Sequence, residues 1–339
     1  MEGSADSTFD LDECRGRRSL HYCGATAPAN VSQQVSATNM PESRLPRLKA
    51  TSSVMSKVDR LGWAVGFSLK SYGVRIGIRS NDPAALVSAR RHLPSEWEAV
   101  SSPLVDRVYS IMIGKKDSHA NGRRLNLLYG DEVRLARSSD LDGLYETLES
   151  DLRLFVAELA THRVFVHAGV VGWKGQAIVI PGRSYSGKST LVAELVRAGA
   201  TYYSDEYAVL DSRGRVHPFS KPLELREEGE FTQTKITAAE LGGISGTKPL
   251  PVGLVLMTQF KSGARWRPRK LTAGRGVLEM LFNTVSARRS PEKALATLQR
   301  VAEQADVLKG VRGNATEVVE ALLRRVEGSK NRAQENQVV

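Results

Sequence analysis

Cysteine is nearly missing from this chain: Cys14 and Cys23 are the only two in 339 residues. Both fall in a polar opening stretch and can form at most one local bridge, so neither a disulfide-built scaffold nor a cysteine-rich zinc module is on offer. The six histidines are scattered, which removes the other common metal cluster. No apolar run is long enough to cross a bilayer, and the opening MEGSADSTFDLDE is too acidic and polar for a secretory signal. A formal charge of +11 points to polyanions or an acidic partner, but its carriers lie in short, distant clusters such as Arg90/Arg91 and Arg324/Arg325. They are not interleaved with aromatics as single-stranded nucleic acid requires, and aromatics make up only 6% of the chain. The expectation is a cytoplasmic protein with neither a membrane nor a nucleic acid as its main partner.

An apolar fraction of 41% is enough for a proper core, and the length suggests two domains. Residues 1–50 are rich in Ser, Asn, Pro, Gln and Ala without periodicity and read as a disordered leader. Residues 51–160 read as a small α+β accessory domain. Its WAVGFS and YGVRIGI stretches are strands around a turn near Lys70 and Ser71, and Asn81-Asp82-Pro83 opens a helix. VDRVYSIMI and RLNLLY are two more strands, joined by the polar KKDSHANGR. Residues 141–160 then carry a long helical pattern with Leu144, Leu148, Leu152, Phe155 and Leu159 near one face.

Residues 161–327 contain the stretch around which the chain is organised, IVIPGRSYSGKST at 178–190. A buried strand runs into G-x-x-x-x-G-K-[ST], with Gly182, Gly187, Lys188 and Ser189 at the defining positions. A helix follows, with Leu191, Val192, Leu195 and Val196 at helical spacing and Gly199 as its stop. Such a loop surrounds phosphates with backbone N–H groups, aided by the helix N-terminus. Here Gly182, Arg183, Ser184, Tyr185, Ser186, Gly187, Lys188, Ser189 and Thr190 would hold ATP. Lys188 serves the terminal phosphates, and the Ser189 hydroxyl is the natural Mg²⁺ ligand.

A second acidic partner should come from the end of a neighbouring strand, and Asp205 and Glu206, after the strand TYYS, fit that place. Adjacent carboxylates on extended backbone point to opposite sides, so one of the two faces the phosphates as base or metal ligand; the plainer alternative is a pair of solvated turn residues. His167 ends the apolar VFV and is open to two readings, a satisfied core histidine or a site residue. Residues 227–250, polar and glycine-containing, read as a mobile loop. PVGLVLMTQ at 251–259 is a strand, 279–285, 291–308 and 316–326 are helices, and 328–339 is a disordered tail. The alternation of Arg265, Arg267 and Arg269 suits a basic edge that discourages pairing. The absence of an N/TKxD motif after the loop argues against a GTPase.

Over residues 164–211 the chain resembles the catalytic domain of HPr kinase/phosphorylase, a bacterial serine kinase. The likeness rests on the histidine of VHAGVVGWKG, the loop GRSYSGKS and the acidic pair of YYSDEYAVLD. It implies an α/β fold, with a P-loop C-terminal domain of the HPr-kinase/phosphoenolpyruvate-carboxykinase type beside the smaller α+β domain. It also implies ATP and Mg²⁺ as cofactors, Asp205 as the base, and His167 near the phosphates. Weaker echoes at PLELR (Glu224, Arg226) and AGRGVLEMLFN carry Arg275 over as a residue near the transferred phosphate. The sequence departs from the family pattern in three places: Thr190 stands where Glu is usual, Glu206 where a second Asp is usual, and residues 227–230 replace a glycine-rich signature. The resemblance implies a kinase acting on a hydroxyl, serine above all, of a protein, peptide or small molecule, and a homo-oligomer as in the family. A non-catalytic ATP-binding sensor is the rival reading.

Overall fold

The computed structural model describes residues 18–19, 57–94, 96–114, 125–182, 186–219, 221–226 and 233–335. The expected leader lies outside them except for Arg18–Ser19, a two-residue strand β1 whose partner is β5 (Leu104–Val105). The turn KKDSHANGR, Arg183, Ser184, Tyr185 and residues 227–232 also lie outside. The fold is mixed α/β, and the chain divides into two compact units, the main division falling inside the second helix, after Ser150, with Ser71–Val74 and Pro94–Trp97 grouped with the second unit.

The first unit is a six-stranded sheet in the order β4 (Glu98–Val100), β2 (Val65–Ser71), β3 (Val74–Ser80), β6 (Arg107–Met112), β7 (Asn126–Gly130), β8 (Val133–Ser138). The β2–β3 turn falls on Tyr72 and Gly73, two residues later than expected. Both have positive φ, the backbone of a tight hairpin turn whose twist matches its strands. Helix α1 (Pro83–Ala89) starts as the sequence suggests, with Pro83 in its first turn and the Asp82 carboxylate accepting from the Ala84 N–H. Helix α2 (Leu141–Leu159) buries Leu144, Leu148 and Leu152, three of its expected stripe.

The second unit is a sheet that closes on itself. Strand β9 (Val164–Trp173) turns at Lys174–Gly175 into antiparallel β10 (Gln176–Pro181). After helix α3 (Lys188–Arg197) come β11 (Thr201–Ser204) and β12 (Tyr207–Leu210), both antiparallel to β9. A hairpin then leads to β13 (Arg215–His217), which pairs with β16 (Leu250–Phe260). β16 in turn lies parallel to β10 and completes the circuit. A short antiparallel ladder joins β14 (Leu223–Arg226) to β15 (Gln233–Ile236), so part of the expected mobile loop is strand. Outside the circuit, β18 (Asp306–Arg312) runs parallel to β16, with β17 (Arg269–Lys270) at its edge.

Apolar alternation explains how the sheet is covered on both faces. Ile178 and Ile180 of β10, with Leu254 and Leu256 of β16, join one core with Leu191 and Leu195 of α3 and Leu322 of helix α6 (Thr316–Glu335). The residues between them, Val179, Val255 and Met257, join the opposite core with Met280 of α4 (Ala273–Leu281) and Leu298 and Val301 of α5 (Pro291–Gln304). Strands buried on both faces read as continuous apolar runs, as VLM and IVI do here.

Two expected helices shift. α5 stops at Gln304, because the residues that follow join the sheet as β18, and α4 begins six residues before its expected start. α6 continues through the expected tail to Glu335. Among the described residues no helix is long and apolar enough to cross a membrane.

Candidate functional site

Strand, glycine loop and helix occur in the order the motif requires. β10 ends at Pro181, Gly182 follows, and α3 begins at Lys188 with Gly187 as its N-cap, in the left-handed region at φ 80°. A side chain at Gly187 would be strained by that backbone, and its Cβ would lie 2.7 Å from the Arg312 Nη2. At Gly169 on β9, an added Cβ would come within 2.5 Å of Val192. That glycine is what lets α3 settle so close to the sheet.

Lys188 folds back over the loop. Its ammonium donates to the Gly182 carbonyl at 2.7 Å, and the residue is buried. Burial lowers its pKa from 10.5 to about 8, an effect that nearby Asp205 partly offsets. The ammonium is thus held in a largely dry place beside the loop, which suits it to an incoming anion.

Asp205, just after β11, is buried and held on both oxygens. Oδ1 accepts from the Tyr202 hydroxyl at 3.2 Å; Oδ2 accepts from the Ser189 hydroxyl at 3.3 Å and from the Glu224 backbone N–H at 3.2 Å. The Tyr202 hydroxyl also reaches the Lys221 carbonyl at 2.8 Å. Burial, then the Asp205 charge, raises the Tyr202 pKa, so this phenol remains a donor. These contacts fix the carboxylate at the first turn of α3, beside Lys188 and Ser189.

Glu206 turns elsewhere; the pair sits on a bend between β11 and β12 and not on the extended backbone expected of it. Its Oε2 lies 3.3 Å from the Lys221 Nζ and 3.4 Å from the Arg153 Nε. Lys221 also pairs with Glu224 at 3.1 Å. Its burial would lower the Lys221 pKa, but Glu206 and Asp205 outweigh that and raise it.

His167 stands behind the start of the loop, where its carbonyl accepts from the Gly182 N–H at 3.2 Å and its own N–H donates to the Asn283 carbonyl at 2.7 Å. Its ring sits edge-on to Tyr207, and its buried Nδ1 has no hydrogen-bond partner. Burial, with Lys188 and Lys221 nearby, lowers its pKa to about 4, so the imidazole is neutral near neutral pH. Arg275 is exposed in the first turn of α4, and no contact joins it to Lys188, Ser189 or Asp205. Of the named loop residues, Arg183, Ser184 and Tyr185 lie outside the described residues, and Thr190 is exposed on α3.

Three contributors were not singled out by sequence reasoning. Tyr202 and Lys221 look there like ordinary strand and loop residues. Arg312 lies past the expected helix, yet it is only 2% exposed. Its Nη2 donates to the Gly187 carbonyl at 2.7 Å, its Nη1 to the Gly313 carbonyl at 3.0 Å, and its guanidinium lies 5.8 Å from the Phe260 ring centre. Among the described residues no carboxylate pairs with it. Burial lowers its pKa, and its cation lies directly behind the N-terminus of α3.

Among the described residues no three His, Cys, Asp or Glu side chains gather as a self-contained metal site. The Ser189 hydroxyl and the Asp205 carboxylate, 3.3 Å apart, are instead an oxygen pair of the kind Mg²⁺ uses when phosphates and water complete its shell. The donor set fits that ion. No family model matches the chain, and no curated protein matches it either.

Proposed function

We propose that this protein is an ATP-dependent phosphotransferase that moves a phosphoryl group to a hydroxyl, serine being the expected acceptor, and that its second unit is a P-loop domain of the HPr-kinase type. The observation that carries the reading is the meeting of Lys188, Ser189 and Asp205 at one mouth, with Asp205 held by Tyr202 and the Glu224 N–H. A solvated turn residue would have no need of that support.

In this mechanism the backbone N–H groups at the start of α3 and the Lys188 ammonium hold the phosphates. Ser189 and Asp205 would hold Mg²⁺, which supplies charge neutralisation on the phosphate oxygens. The acceptor oxygen forms a bond to the terminal phosphorus as the bond to the bridging oxygen breaks and ADP leaves. Asp205 takes the acceptor's proton. Arg312, behind the loop, adds positive potential without touching the reacting atoms. His167 is neutral and shapes the loop's entry through its carbonyl.

The ion pairs of Glu206 favour one rival, a nucleotide sensor, because they turn Glu206 away and leave the mouth with one carboxylate of the pair, Asp205. Labelled ATP with serine-bearing acceptors separates the two. Transfer that Asp205→Asn cuts by at least about 100-fold, with affinity for nucleotide in the absence of Mg²⁺ little changed, supports the kinase. Saturable binding without transfer supports the sensor and refutes the kinase.

A further inference from the structure

The alternating arginines at 265, 267 and 269 have no part in the mechanism above. Strand β17 lies at the end of the second unit's sheet, with Arg269 opposite Lys309 and Lys270 opposite Leu308 of β18. The residues before it keep to the same edge. A Cβ added at Gly310 would come within 3.0 Å of the Trp266 ring and 3.1 Å of the Pro268 Cα, and one added at Gly313 within 2.7 Å of the Ala264 carbonyl oxygen. Two glycines therefore let residues 264–268 lie close along β18 and its end. Exposure alternates through this segment: Arg265, Arg267 and Arg269 are exposed, while Ala264, Trp266 and Pro268 are half-buried. Alternate side chains on extended backbone share a face at intervals of about 7 Å, so the three guanidiniums form a row.

The row is short of counter-charge. Residues 261–270 include Lys261, Arg265, Arg267, Arg269 and Lys270 and no carboxylate. Close by, Asp306 pairs with Lys270 and Arg325, and Glu279 with Lys309. Among the described residues none of the three arginines has a hydrogen-bond or ion-pair partner. Keeping other strands off the edge does not require them, since Pro268, which has no N–H to offer, already does so. Guanidiniums are instead the groups that grip carboxylates through two parallel hydrogen bonds and that are enriched at protein interfaces. Nucleic acid is the poorer match, because a single strand needs open aromatic faces. Trp266 is the one aromatic of the segment, and its ring lies against Gly310 and in the wall of a cavity of about 310 Å³. An extended peptide with acidic side chains at alternate positions has the same repeat as the row. Such a peptide can meet all three arginines in register.

We propose that Arg265, Arg267 and Arg269 form a docking strip for an extended acidic segment of a protein partner. The inference goes beyond the phosphotransferase reading and does not depend on it. The test is fluorescence anisotropy on the full chain with two labelled probes, a peptide of alternating Glu and Thr and an oligothymidylate of equal charge. The variants are Arg265→Ala, Arg267→Ala, Arg269→Ala and the three combined. A second triple variant, Arg91→Ala with Arg134→Ala and Arg137→Ala, removes the same charge from the first unit. All six arginines are exposed, so the folds should hold, and thermal melts check this. Each single strip variant should bind the peptide about two- to threefold more weakly, and the combined one at least about tenfold. The first-unit triple should stay within about twofold of the wild type. Equal losses in the two triple variants would overturn the strip in favour of a general attraction to net charge. So would a wild type that does not bind the peptide. Tighter binding of the oligothymidylate, lost in the strip variants, would overturn the acidic-peptide assignment in favour of nucleic acid.

Discussion

Phosphate binding should weaken steeply between pH 7.5 and 9.5, and a single side chain should account for it. Burial brings the Lys188 pKa down from 10.5 to about 8 in the ligand-free protein, partly offset by Asp205. Phosphate oxygens against the ammonium favour its charged form and return the pKa to at least the ordinary value. Binding then takes up a proton wherever the pH lies between the two values, so affinity falls as pH rises. Linkage with those values gives a loss of about 20-fold over the interval and an uptake of about 0.9 proton per ligand at pH 9. The other shifted groups of the site stay out of this window. His167, lowered to about 4 by burial and by Lys188 and Lys221, is already neutral. Lys221, raised by Glu206 and Asp205 against its burial, remains charged. Tyr202, raised by burial and by Asp205, remains protonated. The measurement is calorimetric titration with ATP, whose phosphates are already ionised in this window, in pairs of buffers of different ionisation enthalpy, with Lys188→Arg as the variant whose charge does not titrate in this range. An affinity constant within twofold across the interval, with no proton uptake, would refute the reasoning.

Further outcomes follow from single residues. Asp211 accepts from His217 and from Arg215 at 3.0 Å; its burial would raise its pKa, but these hydrogen bonds and that from the Arg213 N–H lower it to about 2. Its contribution to stability is therefore present above the unfolded value of 3.8 and lost as pH falls toward 2. Asp211→Asn should cost about 2 kcal/mol at pH 7 and flatten the acid limb of a denaturation series. Gly187→Ala places a methyl group on left-handed backbone against Arg312, and urea denaturation should show a loss of about 2 kcal/mol together with loss of phosphate binding. Arg312→Met removes a buried cation that has no carboxylate partner among the described residues, and the Gly187 carbonyl still accepts from the Leu191 N–H. The melting temperature should hold or rise while phosphate affinity falls about tenfold; a large drop in melting temperature with unchanged affinity would show that the arginine serves only packing.

The parts of this protein that could be read from the sequence are those whose causes are local. IVIP followed by a glycine loop and an apolar-striped helix up to Gly199 is set by backbone propensities within about twenty residues, and the structure has strand, loop and helix there. The Asp82-Pro83 helix start and the leucine stripe of α2 are local in the same sense. Sequence reasoning also held that one carboxylate of the adjacent pair would face the loop, since extended backbone alternates its side chains. Residue spacing could not say which one, and only the resemblance named Asp205; its hold depends on Tyr202, Ser189 and the Glu224 N–H arriving from three different elements.

Only the tertiary structure decided the rest. The helical pattern was carried through to Leu308, but Asp306–Arg312 is strand β18, because β16 presents an open edge to it and strand pairing is a non-local contact. That single change brings Arg312 behind Gly187. Lys221 and Arg153 meet Glu206 only because β9, β12 and the end of α2 pack together. Arg275 goes the other way: a motif echo drew attention to it, and packing leaves it on the exposed side of α4. Local preference is enough to write strand, glycine loop and helix into the sequence, whereas the charges around them depend on strand pairings between residues 29 to 76 positions apart.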